Sequence, residues 1–407
     1  MSVSKLSRNH KKIQPRGRVA EHIRGLPKSG IRDFFELVNT MDDVISLGIG
    51  EPDFVTPWSI REAAIYALQK GFTSYTSNLG MLSLRKAVCR YVDDEYGAKY
   101  DPVTECIITV GVSEALDLIL RAILEPGDEV IYQEPSYVSY PASIVMALAK
   151  PVPVATYEKD KFALDPKRLE AAITPKTKAL LLNFPNNPTG ANISLAQKRE
   201  IAKIAVKHDL VVLTDEIYSE LTYGKMEPTI ASLPGMRERT VFLHGFSKAF
   251  AMTGFRIGYA CGPHELIDAM MKIHQYSMLC ASSVGQSAAI AALQDGRGEM
   301  LKMKKEYMQR RNVIVKRLNE MGLTCVMPEG AFYAFPNITS TGISSKEFCT
   351  RLLQEKRVAV VPGTAFGPSG EGYVRCAYAA GMDEIETAMT RMAEFVQELK
   401  SGKKKAK

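Results

Sequence analysis

The chain has 407 residues, of which 46% are hydrophobic and 24% are charged, and its formal net charge is +7. This balance excludes a disordered or fibrous protein, and the length predicts two domains or one large α/β unit. Because residues 1–32 carry +8 and residues 400–407 carry +5, the remainder carries −6 and offers no positive surface for a nucleic acid.

The seven cysteines are odd in number and show no Cys-x-x-Cys spacing. We interpret them as scattered core thiols of a reducing compartment, and we expect neither a disulfide framework nor a metal site. The first residues lack the apolar region of a secretory signal, and no run approaches the ~18 apolar residues that would span a bilayer. The sequence therefore predicts a soluble, cytoplasmic protein with no membrane partner, and a transit peptide in the Arg-rich start is the alternative.

Residues 105–262 alternate short β-branched runs with helix-length segments, which is the pattern of a doubly wound α/β sheet. Between the first two runs, residues 113–124 predict an amphipathic helix that ends at a Pro-Gly-Asp turn. The predicted strands are residues 106–110, 129–133, 152–155, 179–183, 210–214, 241–244 and 257–261.

The rest of the chain has a different pattern, which predicts a smaller α+β domain. A long helix over residues 299–321 and a final helix over 383–400 enclose four short strands, at residues 324–327, 331–335, 357–361 and 373–378. We expect the first residues to complete this domain. The predicted division is 1–55 for an N-terminal arm and part of the small domain, 56–296 for the large domain, and 297–407 for the small C-terminal domain.

Polar residues follow the carboxyl ends of the predicted strands, where open α/β sheets bind their ligands. Taken singly, each has an ordinary explanation, such as a helix cap, a turn, half-buried packing or a solvated charge. Taken together, they would bring an acid, an amine, hydroxyls and amides to one crevice. These residues are Gly111, Val112, Ser113, Tyr137, Asn187, Asp215, Tyr218, Ser247, Lys248 and, just before the last strand, Arg256.

The segment at residues 245–258, Gly-Phe-Ser-Lys-Ala-Phe-Ala-Met-Thr-Gly-Phe-Arg-Ile-Gly, resembles the pyridoxal-phosphate attachment signature of class I aminotransferases, the fold-type-I aspartate aminotransferase family. Further blocks resemble the same family in order, at residues 50–54, 187–190, 215–218 and 372–375. The resemblance implies a large domain with a doubly wound, mainly parallel seven-stranded sheet that binds pyridoxal 5′-phosphate, a smaller α+β domain, and a homodimer.

The resemblance also implies a role for each catalytic residue. Lys248 would attach the cofactor covalently and later serve as the base that moves a proton. Asp215 would keep the cofactor's ring nitrogen protonated, because a nearby carboxylate raises the pKa of that nitrogen. Asn187 and Tyr218 would donate hydrogen bonds to the ring oxygen, and Tyr137 would stack on the ring.

The remaining implied roles concern anions. Val112 and Ser113, at the start of a helix, would bind the cofactor phosphate together with Ser247 and Arg256. Tyr75 of the neighbouring subunit would reach the same phosphate, which is the reason to expect a homodimer.

The substrate carboxylate calls for a planar two-pronged cation, so an arginine suits it better than a lysine. The resemblance assigns this role to Arg375, assisted by the Gly50 backbone and Asn187. Since the two sides of the ligand come from two domains, closure would exclude water.

The expected reaction is a ping-pong transfer of an amino group from an aromatic L-amino acid, tyrosine or phenylalanine, to a 2-oxo acid such as 2-oxoglutarate. Ser113 stands where several relatives specialised for aspartate carry a lysine, which weakens a reading limited to dicarboxylates. An aspartate or N-acetyl-diaminopimelate aminotransferase remains the alternative. A serine hydrolase is a remote one, because Ala249 breaks the Gly-x-Ser-x-Gly pattern at Ser247. A non-catalytic cofactor-binding regulator is equally remote, because too few residues precede the first block for a DNA-reading domain.

Overall fold

The computed structural model describes residues 17–26 and 41–405. Its helices are α1 (Glu21–Arg24), α2 (Trp58–Gln69), α3 (Leu82–Tyr96), α4 (Gly111–Ile123), α5 (Ser139–Met146), α6 (Pro166–Ala171), α7 (Leu195–Lys207), α8 (His264–Ser277), α9 (Ser283–Asp295), α10 (Arg297–Glu320), α11 (Ser345–Lys356) and α12 (Met382–Lys405). Its strands are β1 (Ile45–Ser46), β2 (Cys106–Thr109), β3 (Glu129–Glu134), β4 (Lys150–Ala155), β5 (Thr177–Asn183), β6 (Val211–Asp215), β7 (Thr240–Gly245), β8 (Gly258–Cys261), β9 (Tyr333–Ala334), β10 (Val358–Ala359), β11 (Val361–Pro362) and β12 (Val374–Ala377).

Seven strands form one sheet in the order β2-β8-β7-β6-β5-β3-β4. Strand β8 runs antiparallel to both of its neighbours, and the other pairs are parallel. The predicted α/β fold with a mainly parallel sheet is confirmed, and each predicted strand of this sheet lies within two residues of its observed bounds.

Apart from its edge strand β4, the sheet is buried on both faces, as the near-continuous apolar runs of its strands predict. Strand β7 shows the alternation: Val241 and Leu243 pack against α4 and α8, and Phe242 packs into the core on the opposite face. Each such side chain contributes about 1.5–3 kcal/mol when it is fully buried. Among the described helices, none has the length and hydropathy that a membrane-crossing segment needs.

The short strands form two smaller sheets. Strands β11, β12 and β9 make an antiparallel sheet, and β1 pairs in parallel with β10 through Ile45 opposite Val358. The chain segment before residue 55 therefore contacts the C-terminal part of the protein, as we expected. The domain boundaries themselves stay a prediction, and the arm before them lies largely outside the described residues.

Two of the predicted short strands need correction. Residues 324–327 form no strand, because the side chain of Asn319 hydrogen-bonds the Cys325 backbone: Asn319 Oδ1 accepts from the Cys325 N–H at 3.1 Å. The predicted strand at residues 357–361 is divided into β10 and β11. Neither difference affects the seven-stranded sheet.

The cysteines are less scattered than the sequence suggests. The thiols of Cys89, Cys106 and Cys261 all lie within 4.8 Å of one another in the core. They meet because Cys106 stands opposite Cys261 in the β2–β8 ladder, while α3 places Cys89 beside them. All seven cysteines are free, as predicted. The expectation that the chain binds no metal stays a prediction.

Candidate active site

A cavity of about 1410 Å³ lies at the carboxyl edge of the large sheet. Of the twelve residues to which the family resemblance assigns a role, Tyr75 alone does not line it, and the Tyr75 side chain is 83% exposed. The eleven that line it are Gly50, Val112, Ser113, Tyr137, Asn187, Asp215, Tyr218, Ser247, Lys248, Arg256 and Arg375.

Lys248 follows strand β7, and its amine donates a hydrogen bond to the Gly50 carbonyl at 2.7 Å. No carboxylate in the described part of the chain lies within ion-pair distance of this amine. Burial lowers the pKa of Lys248 to about 8. Because a lysine with such a pKa is partly neutral near physiological pH, it can act as a nucleophile or a base.

Asp215 ends strand β6 and is buried, with one neutral donor on each carboxylate oxygen. The Tyr140 hydroxyl donates to Oδ2 at 2.8 Å, and the Ile217 N–H donates to Oδ1 at 3.2 Å. Burial raises the pKa of Asp215 to about 6, and the Tyr140 hydrogen bond opposes this rise. Within residues 17–26 and 41–405, no cation pairs with this carboxylate. A buried carboxylate without a cation favours a positively charged ligand.

Tyr140 was missed by the sequence reasoning. It lies three residues after Tyr137, in the first turn of α5, and nothing in the local pattern separates it from ordinary apolar packing. The signal that could have found it is its place in a helix that begins beside the carboxyl end of β3.

Tyr218 and Asn187 reach the cavity from the neighbouring strand ends. The hydroxyl of Tyr218 lies 2.8 Å from that of Tyr333, another residue that the sequence reasoning missed. Burial raises the pKa of Tyr218, so its hydroxyl remains protonated and can donate a hydrogen bond. Asn187 uses its Oδ1 to accept from Arg375 at 2.9 Å, which leaves its amide group available as a donor.

Arg375 lies on β12 and is almost fully buried. Its Nη2 donates to the Gly48 carbonyl at 2.6 Å, and the expected role of the Gly50 backbone toward the substrate carboxylate stays a prediction. Its guanidinium carbon lies 4.5 Å from the Tyr333 ring and 4.9 Å from the Phe366 ring. Its Nε is buried and has no partner among the described residues. An arginine held flat with an unused donor suits a carboxylate.

The N-terminus of helix α4 lies close to the side chain of Arg256. Gly111 has φ +74°, and a Cβ there would lie 2.6 Å from Nη2 of Arg256. A Cβ at Gly258 would lie 2.4 Å from the carbonyl carbon of Gly111, so both positions need glycine. The free backbone N–H groups of Val112 and Ser113 and the guanidinium of Arg256 therefore lie together. Helix starts of this kind bind phosphate.

Ser247 lines the cavity without a histidine partner. In the part of the chain that the structure describes, the ring of His264 contacts the Thr104 carbonyl at 3.3 Å, and His274 pairs with Glu114 at 2.7 Å. Neither histidine hydrogen-bonds Ser247, so the nucleophile–base pair of a serine hydrolase is missing.

Comparisons with known proteins give one consistent result. Residues 42–392 match the family described as aminotransferase class I and II. The aromatic-amino-acid aminotransferase 2 of Thermococcus litoralis is 45% identical over 385 residues, which cover 94% of this chain and 99% of that protein. The aspartate aminotransferase of Pyrococcus abyssi is 46% identical over 375 residues, which cover 91% and 96%. The crystal structure of the aromatic aminotransferase from Pyrococcus horikoshii OT3 matches with a TM-score of 0.87 at 46% identity, over 91% of this chain and 99% of that one.

Proposed function

The chain belongs to the aminotransferase class I and II family, and we propose that it transfers the amino group of an aromatic L-amino acid to a 2-oxo acid with pyridoxal 5′-phosphate as its cofactor. Tyrosine or phenylalanine is the proposed donor and 2-oxoglutarate the proposed acceptor. Family membership makes the protein an aminotransferase. The substrate pair, the cofactor and the role of each residue are our proposal.

The residues of the cavity fit this cofactor. Asp215 is a buried carboxylate without a cation, and a protonated ring nitrogen would supply one. Lys248 is an amine with a lowered pKa at the same cavity, which suits attachment to an aldehyde. The helix start beside Arg256 offers amide donors and a cation for a phosphate.

When bound, the cofactor supplies an electron sink for the bond that breaks at the substrate's Cα. Lys248 would attach to the aldehyde of the cofactor, and its amine would serve as the base for the Cα proton. Asp215 keeps a proton on the ring nitrogen through its negative charge. Tyr218 and Asn187 would donate hydrogen bonds to the ring oxygen, and Tyr137 would stack on the ring.

Arg375 binds the substrate's carboxylate and thereby orients the Cα–H bond toward Lys248. Its two contacts, to Asn187 and to the Gly48 carbonyl, come from different parts of the chain and hold the guanidinium in place. Val112, Ser113, Ser247 and Arg256 hold the phosphate, and their backbone and side-chain donors are fixed before the ligand arrives.

The proposal includes a homodimer in which Tyr75 completes the site of the other subunit. The Tyr75 side chain is exposed and does not line the cavity of its own chain. Several large apolar side chains of α2, of the segments on either side of it and of the end of α8 are exposed as well, which is typical of an interface. These side chains are Val55, Trp58, Ile65, Tyr66, Leu68, Phe72, Tyr276 and Met278.

The observation that carries the substrate proposal is the set of cations in the cavity. Among the described residues that line it, the lysines and arginines are Lys248, Arg256 and Arg375. Once phosphate and α-carboxylate occupy the two arginines, this part of the chain has no arginine or lysine left for a second carboxylate. Burying that carboxylate without a matched cation costs several kcal/mol.

The residues that line the cavity also favour a substrate with an aromatic side chain. The cavity carries further carboxylates at Glu51, Asp117 and Glu134, which would repel an acidic substrate side chain. Its apolar lining includes Leu26 and Phe366 beside several tyrosines. An apolar pocket stabilises a bound ring by about 25 cal/mol per Å² of buried apolar surface.

The test is kcat/KM for tyrosine and phenylalanine against aspartate, with 2-oxoglutarate as the acceptor. We expect a ratio above one. A ratio below one would reject the aromatic proposal and favour an aspartate aminotransferase, whereas turnover of N-acetyl-diaminopimelate above both would favour the other alternative. A yellow protein that turns over no amino donor would indicate a cofactor-binding regulator.

A further inference from the structure

Tyr333 lies where three parts of the cavity meet. It belongs to β9, which pairs with β12 so that Tyr333 stands opposite Ala377, two residues after Arg375. Its ring lies against the Arg375 guanidinium, and its hydroxyl lies 2.8 Å from the Tyr218 hydroxyl. Gly50 faces the same hydroxyl, since a Cβ at Gly50 would lie 2.7 Å from it. The side chain is fully buried, so its position is fixed by these contacts.

The Tyr333 hydroxyl has one polar partner within the described residues, the hydroxyl of Tyr218. Burial raises the pKa of both tyrosines, so each keeps its proton at neutral pH. Either oxygen can donate to the other in the absence of a ligand. An anionic oxygen near Tyr218 removes this ambiguity, because Tyr218 then donates to that oxygen and its own oxygen accepts from Tyr333.

We propose that Tyr333 is a positioning residue that donates a hydrogen bond to the Tyr218 oxygen and so directs the Tyr218 O–H into the cavity. The inference rests on the proposed function, in which Tyr218 donates to the ring oxygen of the cofactor. Two hydrogen bonds in series polarise each other, so the bond from Tyr333 strengthens the one that Tyr218 makes. Because the Tyr333 ring also supports Arg375, the groups that hold cofactor and substrate carboxylate share one neighbour.

The first test is Tyr333→Phe, with Tyr307→Phe as the matched control. Tyr307 is a fully buried tyrosine of the same region, and its hydroxyl has no partner among the described residues. The readout is the pH midpoint of the visible absorbance of the cofactor-loaded protein. A weaker hydrogen bond leaves more negative charge on the ring oxygen, which holds the proton on the Lys248 nitrogen more tightly. We expect Tyr333→Phe to raise the midpoint by about 0.5–1 unit and Tyr307→Phe to leave it in place.

The second test asks whether Tyr333 acts through Tyr218. Tyr218→Phe should raise the midpoint further than Tyr333→Phe, and the double variant should match Tyr218→Phe alone. Additive shifts would show that Tyr333 acts by another route and would overturn the proposal.

A third measurement tests the same proposal if Tyr333→Phe folds poorly. Incorporation of 3-fluorotyrosine at position 333 gives a more acidic hydroxyl and a stronger donor, so the midpoint should move down. Equal thermal unfolding of the cofactor-free variants would exclude a general loss of structure.

The outcomes separate this inference from the proposed function. If the unmodified protein fails to bind pyridoxal phosphate or shows no pH-dependent absorbance, the proposed function fails. If the unmodified protein shows the transition and Tyr333→Phe titrates like Tyr307→Phe, only the role of Tyr333 is rejected.

Discussion

The Tyr140 hydroxyl donates to Oδ2 of Asp215 across 2.8 Å in a buried setting, so the carboxylate that faces the cavity is held by a neutral donor and not by a cation. Such a bond stabilises the charge only in part, since burial still raises the pKa of Asp215 to about 6. The charged Asp215 side chain therefore lowers the stability of the cofactor-free protein. A cationic ligand would stabilise this charge.

Asp215→Asn should reduce kcat strongly, because the amide keeps the size of the side chain but cannot hold a proton on a ring nitrogen. We expect a loss of about 10³-fold or more, with the cofactor still partly bound. Steady-state kcat and the absorbance of the purified protein measure the two effects. A near-native kcat would remove Asp215 from the mechanism.

The same substitution should stabilise the cofactor-free protein above pH 6. Burial raises the pKa of Asp215 from 3.8 to about 6, so folding favours the neutral carboxyl. The resulting stability is fully present below pH 4 and is lost as the pH rises through 6. From pH 4 to 7, apo Asp215→Asn should therefore gain about 3 kcal/mol in the free energy of unfolding over the unmodified protein. Urea unfolding at several pH values measures this gain. The exposed Asp295→Asn serves as the control, and a pH-independent difference for Asp215→Asn would contradict the prediction.

Lys248→Ala should abolish covalent attachment of the cofactor and all turnover. The Lys248 amine is the lysine nitrogen of the cavity, and it lies at the end of β7 beside the Gly50 carbonyl. Borohydride reduction of the loaded, unmodified protein followed by peptide mapping should place the label on Lys248. A label on any other lysine rejects the assignment.

Arg375→Lys should impair all substrates alike, because every amino acid presents the same carboxylate. The lysine keeps the charge but loses the fork that contacts Asn187 and Gly48 together. We expect kcat/KM to fall by about 2–4 kcal/mol in transition-state stabilisation. Arg351→Lys, at an exposed ion pair on α11, should change it little. A loss confined to one substrate class would mean that Arg375 binds the side chain of the substrate and not the carboxylate that all substrates share.

The proposed homodimer predicts complementation between two defective variants. Tyr75→Ala should weaken cofactor binding, and Lys248→Ala should be inactive, each as a homodimer. In a hybrid of the two, one site keeps Lys248 together with Tyr75 of the partner subunit. Co-expression should therefore restore up to about a quarter of the unmodified activity. If Tyr75 served its own subunit, the hybrid would recover no activity. Light scattering would check that the hybrid and both parent variants form dimers.

Much of the site could be predicted because parallel strands end at one edge of their sheet. Asn187, Asp215 and Lys248 each follow a strand, so their convergence needed only the strand assignment. Tyr140 and Tyr333 could not be found in this way, because each reaches the site through a tertiary contact that no local pattern records. Tyr333 in particular lies on a two-residue strand, and its meeting with Tyr218 depends on how β9 is placed against the large sheet.

The errors of the sequence reasoning have the same physical origin. Residues 324–327 have the β-branched character of a strand, yet the side chain of Asn319 takes the backbone bonds of Cys325. The three core thiols come together through the β2–β8 register and the packing of α3, which spacing along the chain does not show. In both cases a tertiary contact, which the local sequence does not record, decides the structure.

The antiparallel direction of β8 has a consequence for how this site can change. Since β7 and β8 form a hairpin with Gly245 opposite Gly258, one loop carries Ser247, Lys248 and Arg256. An insertion or deletion in that loop would displace the Lys248 amine and the two proposed phosphate ligands in a single event. Under the proposed roles, cofactor retention and lysine chemistry therefore depend on one loop, whereas binding of the substrate carboxylate depends on Arg375 in a separate strand, β12.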